Sequence, residues 1–267
     1  MPIICPTCSY SRSWKVRRSK RKCKRCRHEF SSNIYPVKDI RSTIDDWQKC
    51  IHVFIRQRAI LTISEETGIG HCRIASMVDI LRQCMASDIP GRFNGPVELD
   101  ETYIGGQRKN KCLHIRRIKA KRGHGTDKLP IMGVFDRSSK QVYIEVMPVK
   151  LSMYHLFRIT NSKLIHGTLI ITDGYKMYRG FKARGFKHEY VDHDGGEYVR
   201  GEIHTNNIEG FWGILKRKLG CIGGMRRNRL HLFVAEIVWN FNHKSLTYQQ
   251  QEKLLLDLVI KFGGLIQ

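Results

Sequence analysis

No apolar run in the 267 residues approaches the ~20 needed to cross a bilayer as a helix. The opening Met-Pro-Ile-Ile-Cys-Pro lacks the charged and apolar regions of a secretory signal. Both absences predict an intracellular chain without a membrane partner. Its nine cysteines therefore need an explanation other than secretion-type disulfides. Acid is also scarce, with 24 Asp+Glu against 47 Lys+Arg, a formal net charge of +23. That excess points to a polyanion, most often nucleic acid, with an anionic membrane surface as the competing partner; it says nothing about fold. What the chain does have is 41% hydrophobic content, enough for one substantial core and one or two small modules.

Cys5-Pro-Thr-Cys8 and Cys23-Lys-Arg-Cys26 form two C-x2-C pairs separated by fourteen residues. Each short loop sets two thiolates on one side of an ion, which suits tetrahedral Zn²⁺. Two disulfides or a redox C-x-x-C are the alternatives, and the doubled motif in an intracellular setting favours zinc. So short a segment has almost no core, so the metal supplies most of its folding energy. Ten basic residues, Arg17 and Arg18 among them, stand around the knuckles against one acid, Glu29. With four thiolates and Zn²⁺ counted, the module keeps a charge of about +7, which fits contact with a phosphate backbone. The zinc ribbon is placed at residues 1–32.

Residues 38–90 read as a small helical domain. Ile44, Trp47, Ile51, Phe54 and Ile55 keep helical spacing, with Asp45 and Asp46 in the first turn. A short helix near Leu61, a turn containing Gly68 and Gly70, and a helix from about Cys72 to Met85 follow. This is the outline of a helix-turn-helix, with His71, Arg73 and Ser76 near its recognition surface; a plain helical bundle has the same outline. Ser87–Gly95 forms a boundary.

Residues 96–245 read as a catalytic domain, followed by a C-terminal helix over 246–267. Val97–Ile104 is a predicted strand carrying Asp100, with Glu101 turned to the opposite sheet face. Leu129–Arg137 and Gln141–Val149 predict a hairpin, and Leu151–Ile165 a helix. Thr168–Thr172 is a short apolar run that fits a buried parallel strand, with Asp173 at its C-terminal edge. Another strand is expected near Lys187–His193. From His204 to Leu219 the residues Ile208, Phe211, Trp212, Leu215 and Leu219 form an apolar stripe, and Asn206, Glu209 and Lys216 share a face beside it. Asn206-x-x-Glu209 has two readings. It is a capping box with Asn206 as N-cap, or Glu209 is the last of three metal-binding carboxylates. Two strand-borne Asp residues upstream favour the second reading. Such carboxylates suit Mg²⁺ or Mn²⁺ in phosphoryl transfer. The expected fold is thus α/β, a mixed sheet flanked by helices.

Val-Glu-Leu-Asp-Glu-Thr-Tyr-Ile-Gly-Gly (97–106), Thr-Asp-Gly-Tyr-Lys-Met-Tyr (172–178) and His-Thr-Asn-Asn-Ile-Glu-Gly-Phe-Trp-Gly-Ile-Leu-Lys-Arg-Lys-Leu (204–219) together resemble the Merlin-type transposases and their bacterial ISXO-type insertion-sequence relatives. The resemblance covers essentially the whole chain. It implies an Asp-Asp-Glu/Asn transposase with a ribonuclease H-like core, in which Asp100, Asp173 and Glu209 are the catalytic, Mg²⁺-binding triad. It implies that Lys216 contacts phosphate near the cut, with Arg217 beside it. His204 and Asn206 match family positions, and Asn206 is the alternative third ligand. It also implies transposon ends and target DNA as partners, at least a dimer when two ends are joined, and a location in the nucleus of a eukaryote or the nucleoid and cytoplasm of a bacterium. Tyr175, where Trp is frequent, is the one departure.

Gln107–Lys128 holds nine basic residues, including Arg108, Lys109, Arg116 and Arg117, against Asp127. Following directly on the Asp100 strand, it is expected to grip DNA rather than serve only as a solvated loop. Two rival functions remain at this stage: a transposase-derived DNA-binding regulator that no longer cuts, and a zinc-ribbon RNA-binding protein. The second has no need of the three carboxylates.

Overall fold

The computed structural model describes residues 4–17, 20–31, 35–105, 112–117, 128–147, 151–175, 178, 180–191, 200–222 and 226–264. They fall into two units, Met1–Cys84 with Thr247–Gln267, and Met85–Leu246.

In the first unit, β1 (Ser13–Arg17), β2 (Lys20–Cys23) and β3 (Glu29–Ser31) form an antiparallel sheet beside the knuckles. Helix α1 (Ile44–Phe54) starts at a true capping box, Thr43 with Asp46, and buries Trp47, Cys50, Ile51, Val53 and Phe54. Helix α2 (Ile60–Thr67) stops at Gly68, whose φ of +68° is the left-handed conformation that glycine adopts without a Cβ clash. Helix α3 (His71–Ser87) follows after three residues. Its Ile74, Met77, Val78 and Leu81 are buried, and His71, Arg73 and Ser76 are exposed. The last helix, α8 (Tyr248–Phe262), packs against α1, where Glu252 meets both His52 and Arg56. That contact puts the C-terminal helix in the same unit as the N-terminal segments.

The second unit is built on a five-stranded sheet in the order β6-β5-β4-β7-β8. Strands β4 (Val97–Ile104), β5 (Leu129–Asp136) and β6 (Gln141–Val146) are antiparallel neighbours. Strand β7 (Leu169–Asp173) runs parallel to both β4 and β8 (Lys187–Val191). Alternation explains how this sheet is covered on both faces. Leu99, Met132 and Val134 point into a cluster with Leu156, Phe157 and Ile159 of α5 (Met153–Lys163) and with Tyr178 and Phe181. Ile131 and Phe135 point the other way, onto α6 (Asn206–Gly220) and α7 (Leu230–Asn242). The apolar stripe of α6 is buried there as the sequence indicates. Its five large side chains contribute on the order of 10 kcal/mol, which holds the helix flat on the sheet. A one-turn helix, α4 (Leu113–Arg117), lies in the basic segment.

Candidate active site

Strands β4 and β7 pair with Val97 opposite Ile170 and Glu98 opposite Ile171. The same register carried along both strands places Asp100 level with Asp173. Partners in register on parallel strands face the same way, so the two carboxylates share the face that α6 covers. Burial pushes the Asp100 carboxyl up to about 7, and the neighbouring acids Glu101 and Asp173 add to the rise. The indole of Trp212 opposes it by donating from Nε1 to Asp100 Oδ2 at 2.9 Å. Asp173 in turn accepts from the Tyr175 N–H at 3.2 Å.

Trp212 can lie there because Gly133 stands opposite Asp100 on β5. A Cβ at Gly133 would come within 2.6 Å of the indole ring and 2.9 Å of Ile144. Gly133→Ala should therefore displace Trp212 and lower stability by about 1–3 kcal/mol, the usual effect of overpacking. Denaturant melts would measure the loss. An unchanged midpoint would show that the indole is not held against Gly133.

Of the two readings of Asn206-x-x-Glu209, the capping box is not what the start of α6 shows. Thr205, not Asn206, is the N-cap residue, and its hydroxyl donates to Glu209 Oε1 at 2.6 Å. The helix's first amides are taken instead by Glu98, which accepts from Asn207 N at 2.9 Å and Ile208 N at 3.0 Å. Asn206 is the exposed first residue of the helix, and Glu209 lies exposed in the first turn. His204 joins the network around Glu98. Its Nδ1 lies 3.0 Å from Arg137 Nη2 and 3.6 Å from Glu98 Oε1. Lys216 and Arg217 are exposed about two turns beyond Glu209.

Glu101 faces away from Asp100, as alternation requires, and is bound by the buried Tyr178 hydroxyl. Burial drives the Tyr178 hydroxyl well above its ordinary range, and the Glu101, Asp100 and Asp173 charges add to that. Tyr178 therefore remains a donor and ties the segment after β7 to β4.

Among the described residues, the only group of three or more metal-ligand atoms within 4.8 Å of one another is Cys5, Cys8, Cys23 and Cys26. Asp100, Asp173 and Glu209 are not drawn together to that distance. The cysteine sulfurs lie 3.5 Å (Cys5–Cys26) and 3.6 Å (Cys8–Cys23) apart, too far for a disulfide and near the ~3.8 Å edge of a tetrahedron with ~2.3 Å Zn–S bonds. The two knuckles repeat one backbone pattern. Ser9 N bonds Cys5 O and Cys5 N bonds Tyr10 O, while Arg27 N bonds Cys23 O and Cys23 N bonds His28 O. Ser9 and Arg27 both take positive φ, at 54° and 64°, at equivalent places in the two loops. Burial raises the Cys5 thiol, but the Thr7 and Cys8 amides and the neighbouring sulfurs outweigh it and bring it down to about 6. Arg17 is exposed on β1 and pairs with Glu29 at 3.4 Å, and Arg27 lies over the Trp14 ring.

Of the residues expected to hold DNA, Arg116 and Arg117 are exposed on α4. Arg18, Arg108 and Lys109 lie outside the described residues, as does most of the basic segment from 107 to 127. Sequence reasoning missed Glu98 and Arg137. The one available signal was the alternation Val97-Glu98-Leu99-Asp100, which puts a second acid on the same covered face as Asp100.

Residues 92–242 match the family described as ISXO2-like transposase domain. Over 243 residues the chain is 27% identical to an uncharacterized protein in transposable element ISH50 of Halobacterium salinarum, covering 85% of this chain and 81% of that protein. Among solved structures it aligns with a chain of the simian T-cell lymphotropic virus intasome in complex with PP2A regulatory subunit B56 gamma. That alignment has a TM-score of 0.36 and 13% identity over 72% of this chain and 67% of the other, too low to carry an argument.

Proposed function

The chain belongs to the ISXO2-like transposase family, and from that premise we propose that it is a DNA transposase whose catalytic triad is Asp100, Asp173 and Glu209. The observation that carries this reading is the shared register of Asp100 and Asp173 on adjacent parallel strands, with α6 docked over them. The mixed sheet with helices on both faces supports a ribonuclease H-like core. A carboxyl held up to about 7 by burial and by neighbouring acids is a site that a hard cation with oxygen ligands would relieve, so the residues fit Mg²⁺ or Mn²⁺. When bound, such ions lower the pKa of the attacking oxygen and offset charge on the leaving oxygen.

The chain's own residues bind, orient and hold. Trp212 fixes Asp100, the Tyr175 amide fixes Asp173, and α6 presents Glu209 on its exposed side. Lys216 and Arg217, further along the same helix, would hold the phosphates that flank the cut. Arg116 and Arg117, the exposed face of α3 with His71, Arg73 and Ser76, and the basic zinc ribbon with Arg17 would grip the terminal repeats and target DNA. Water attacks first and nicks the strand. The freed 3′-hydroxyl then attacks target DNA, within at least a dimer that holds two ends.

The test is an Mg²⁺-dependent cleavage and strand-transfer assay on the flanking inverted-repeat DNA, comparing wild type with alanine at each triad position. Each variant should bind the ends and fail to cut them. If Glu209→Ala cuts and Asn206→Ala does not, Asn206 is the third ligand. A wild type that binds ends and never cuts them would instead be a DNA-binding regulator.

A further inference from the structure

We propose that Glu98 and Arg137 are positioning residues for strand cleavage, forming a buried latch that fixes the first turn of α6 and therefore the direction in which Glu209 leaves it. The inference rests on the transposase reading of the triad. Glu98 lies two residues before Asp100 on β4, on the same sheet face, and is fully buried. Its carboxylate accepts from Asn207 N at 2.9 Å, Ile208 N at 3.0 Å, Asn207 Nδ2 at 2.6 Å and Arg137 Nε at 2.7 Å. A carboxylate has about four lone-pair sites, so this one is filled. Arg137, just past the end of β5, extends the latch to the approach of α6. It donates from Nη1 to Glu202 O at 2.6 Å and from Nη2 to His204 O at 2.7 Å.

A helix start needs only a local Ser, Thr, Asp or Asn to satisfy its amides. Thr205 stands in place to do so, yet its hydroxyl donates to Glu209 and accepts from no amide of the first turn. The donors of the first turn are met instead by the strand that bears Asp100. Glu209 follows directly on Ile208, the last residue held by Glu98, and precedes by three residues Trp212, which is held by Asp100. Both anchors, Glu98 and Asp100, lie on β4, and the residues they hold, Ile208 and Trp212, flank Glu209 in the chain. The separation of Asp100 and Glu209 is therefore set by two buried hydrogen-bonded ties rather than by the apolar packing of α6 alone. Apolar packing tolerates small slides along a helix axis, and buried charge-assisted bonds do not.

Glu98→Gln tests the latch, because the amide keeps the shape and turns one acceptor into a donor facing other donors. Two readouts are taken on the full chain. The first is hydrogen exchange without DNA. The amides of Asn207, Ile208 and Glu209 should exchange at least about tenfold faster while those of β5 and α7 hold their rates, since local opening is confined to the released turn. The second is Mg²⁺-dependent cleavage of repeat DNA. Turnover should fall by about a hundredfold, the usual effect of a ~1 Å misplacement, with end binding unchanged. Arg137→Gln, whose side chain is partly exposed, should shift both readouts in the same direction. The double variant should lose less than the sum of the two single losses, because the Arg137–Glu98 bond is common to both. Should Glu98→Gln fail to fold, Arg137→Gln carries the same two measurements. Unchanged exchange in the α6 first turn overturns the latch, whatever the activity. Wild-type cleavage rates in a variant whose α6 amides are loosened overturn its role in positioning Glu209. A wild type that does not cleave, while exchange still responds to Glu98→Gln, overturns the transposase reading and leaves the latch standing as a structural tie.

Discussion

Asp100→Asn is expected to raise the melting temperature above pH 7 while removing strand cleavage. The unfolded chain releases the Asp100 proton near 3.8, whereas burial, Glu101 and Asp173 hold it on the folded protein up to about 7. Between those values the folded state binds the proton that the unfolded state has lost, so stability falls as pH rises through the window. Above pH 7 the penalty is complete, and roughly three pKa units correspond to at most about 4 kcal/mol. Asparagine carries no charge, and its Oδ1 still accepts from Trp212 Nε1, so the substitution removes the penalty and keeps the tie. In buffer free of divalent cations, the variant should melt several degrees higher than wild type at pH 8, by about 2–4 °C for each kcal/mol gained. The difference should vanish near pH 4. Added Mg²⁺ should stabilise wild type by binding its folded state and should do far less for the variant. Cleavage should fall by about three orders of magnitude or more, on the scale of the several kcal/mol a bound cation supplies. A stability gain that does not depend on pH would contradict this account of Asp100.

The same strand shows how far the sequence could be read and where it stopped. Val97–Ile104 was legible as a strand because its alternation and closing glycines are local, and Asp100 came with it. Thr168–Thr172 was legible as a buried strand because five residues of nearly unbroken apolar character fit little else. The stripe of α6 was legible because its period is fixed by helix geometry. Asp100 and Asp173 lie level because of inter-strand register, which the sheet sets and neither segment encodes alone. Glu98 was missed for a similar reason. Its partners Asn207 and Ile208 are more than a hundred residues away, beyond the reach of any local pattern. Arg137, at the end of the expected Leu129–Arg137 strand, bonds Glu98, Glu202 and His204, all far away in the chain, so no local pattern marks it. Ser9 and Arg27 take the left-handed conformation without being glycine, so only the C-x2-C spacing marked the knuckles. Packing of α8 on α1 is purely tertiary, and a reading in chain order could only append that helix to the catalytic segment.

Stripping the zinc site should unfold β1–β3 and leave the five-stranded sheet cooperative. Among the described residues around the knuckles, the buried apolar set is Cys5, Cys23 and Phe30, with Cys8 and Tyr10 packed beside them. One buried phenylalanine contributes about 1.5–3 kcal/mol, far below the entropy of ordering about thirty residues at 1–2 kcal/mol each. A structural Zn²⁺ supplies about 10–16 kcal/mol at neutral pH, the one contribution of the right size. The fit is carried by the sulfur spacing and by the paired backbone loops that hold each C-x2-C open toward the others. Acid should release the ion, because protons compete for thiolates. Although the His28 amide favours its thiolate, burial and the neighbouring sulfurs push Cys26 up to about 12, a rise that a cation among the sulfurs would relieve. Two measurements check this. Metal analysis should find one zinc per chain in wild type and none in Cys23→Ser. Hydrogen exchange should then show the β1–β3 amides at unfolded rates in that variant, while those of β4, β5 and β7 stay protected. Because the module concentrates basic residues around Arg17, its loss should also weaken binding to repeat DNA and flatten the dependence of that binding on salt. If Cys23→Ser keeps its zinc and its β1–β3 protection, the four cysteines are not the site that folds the module.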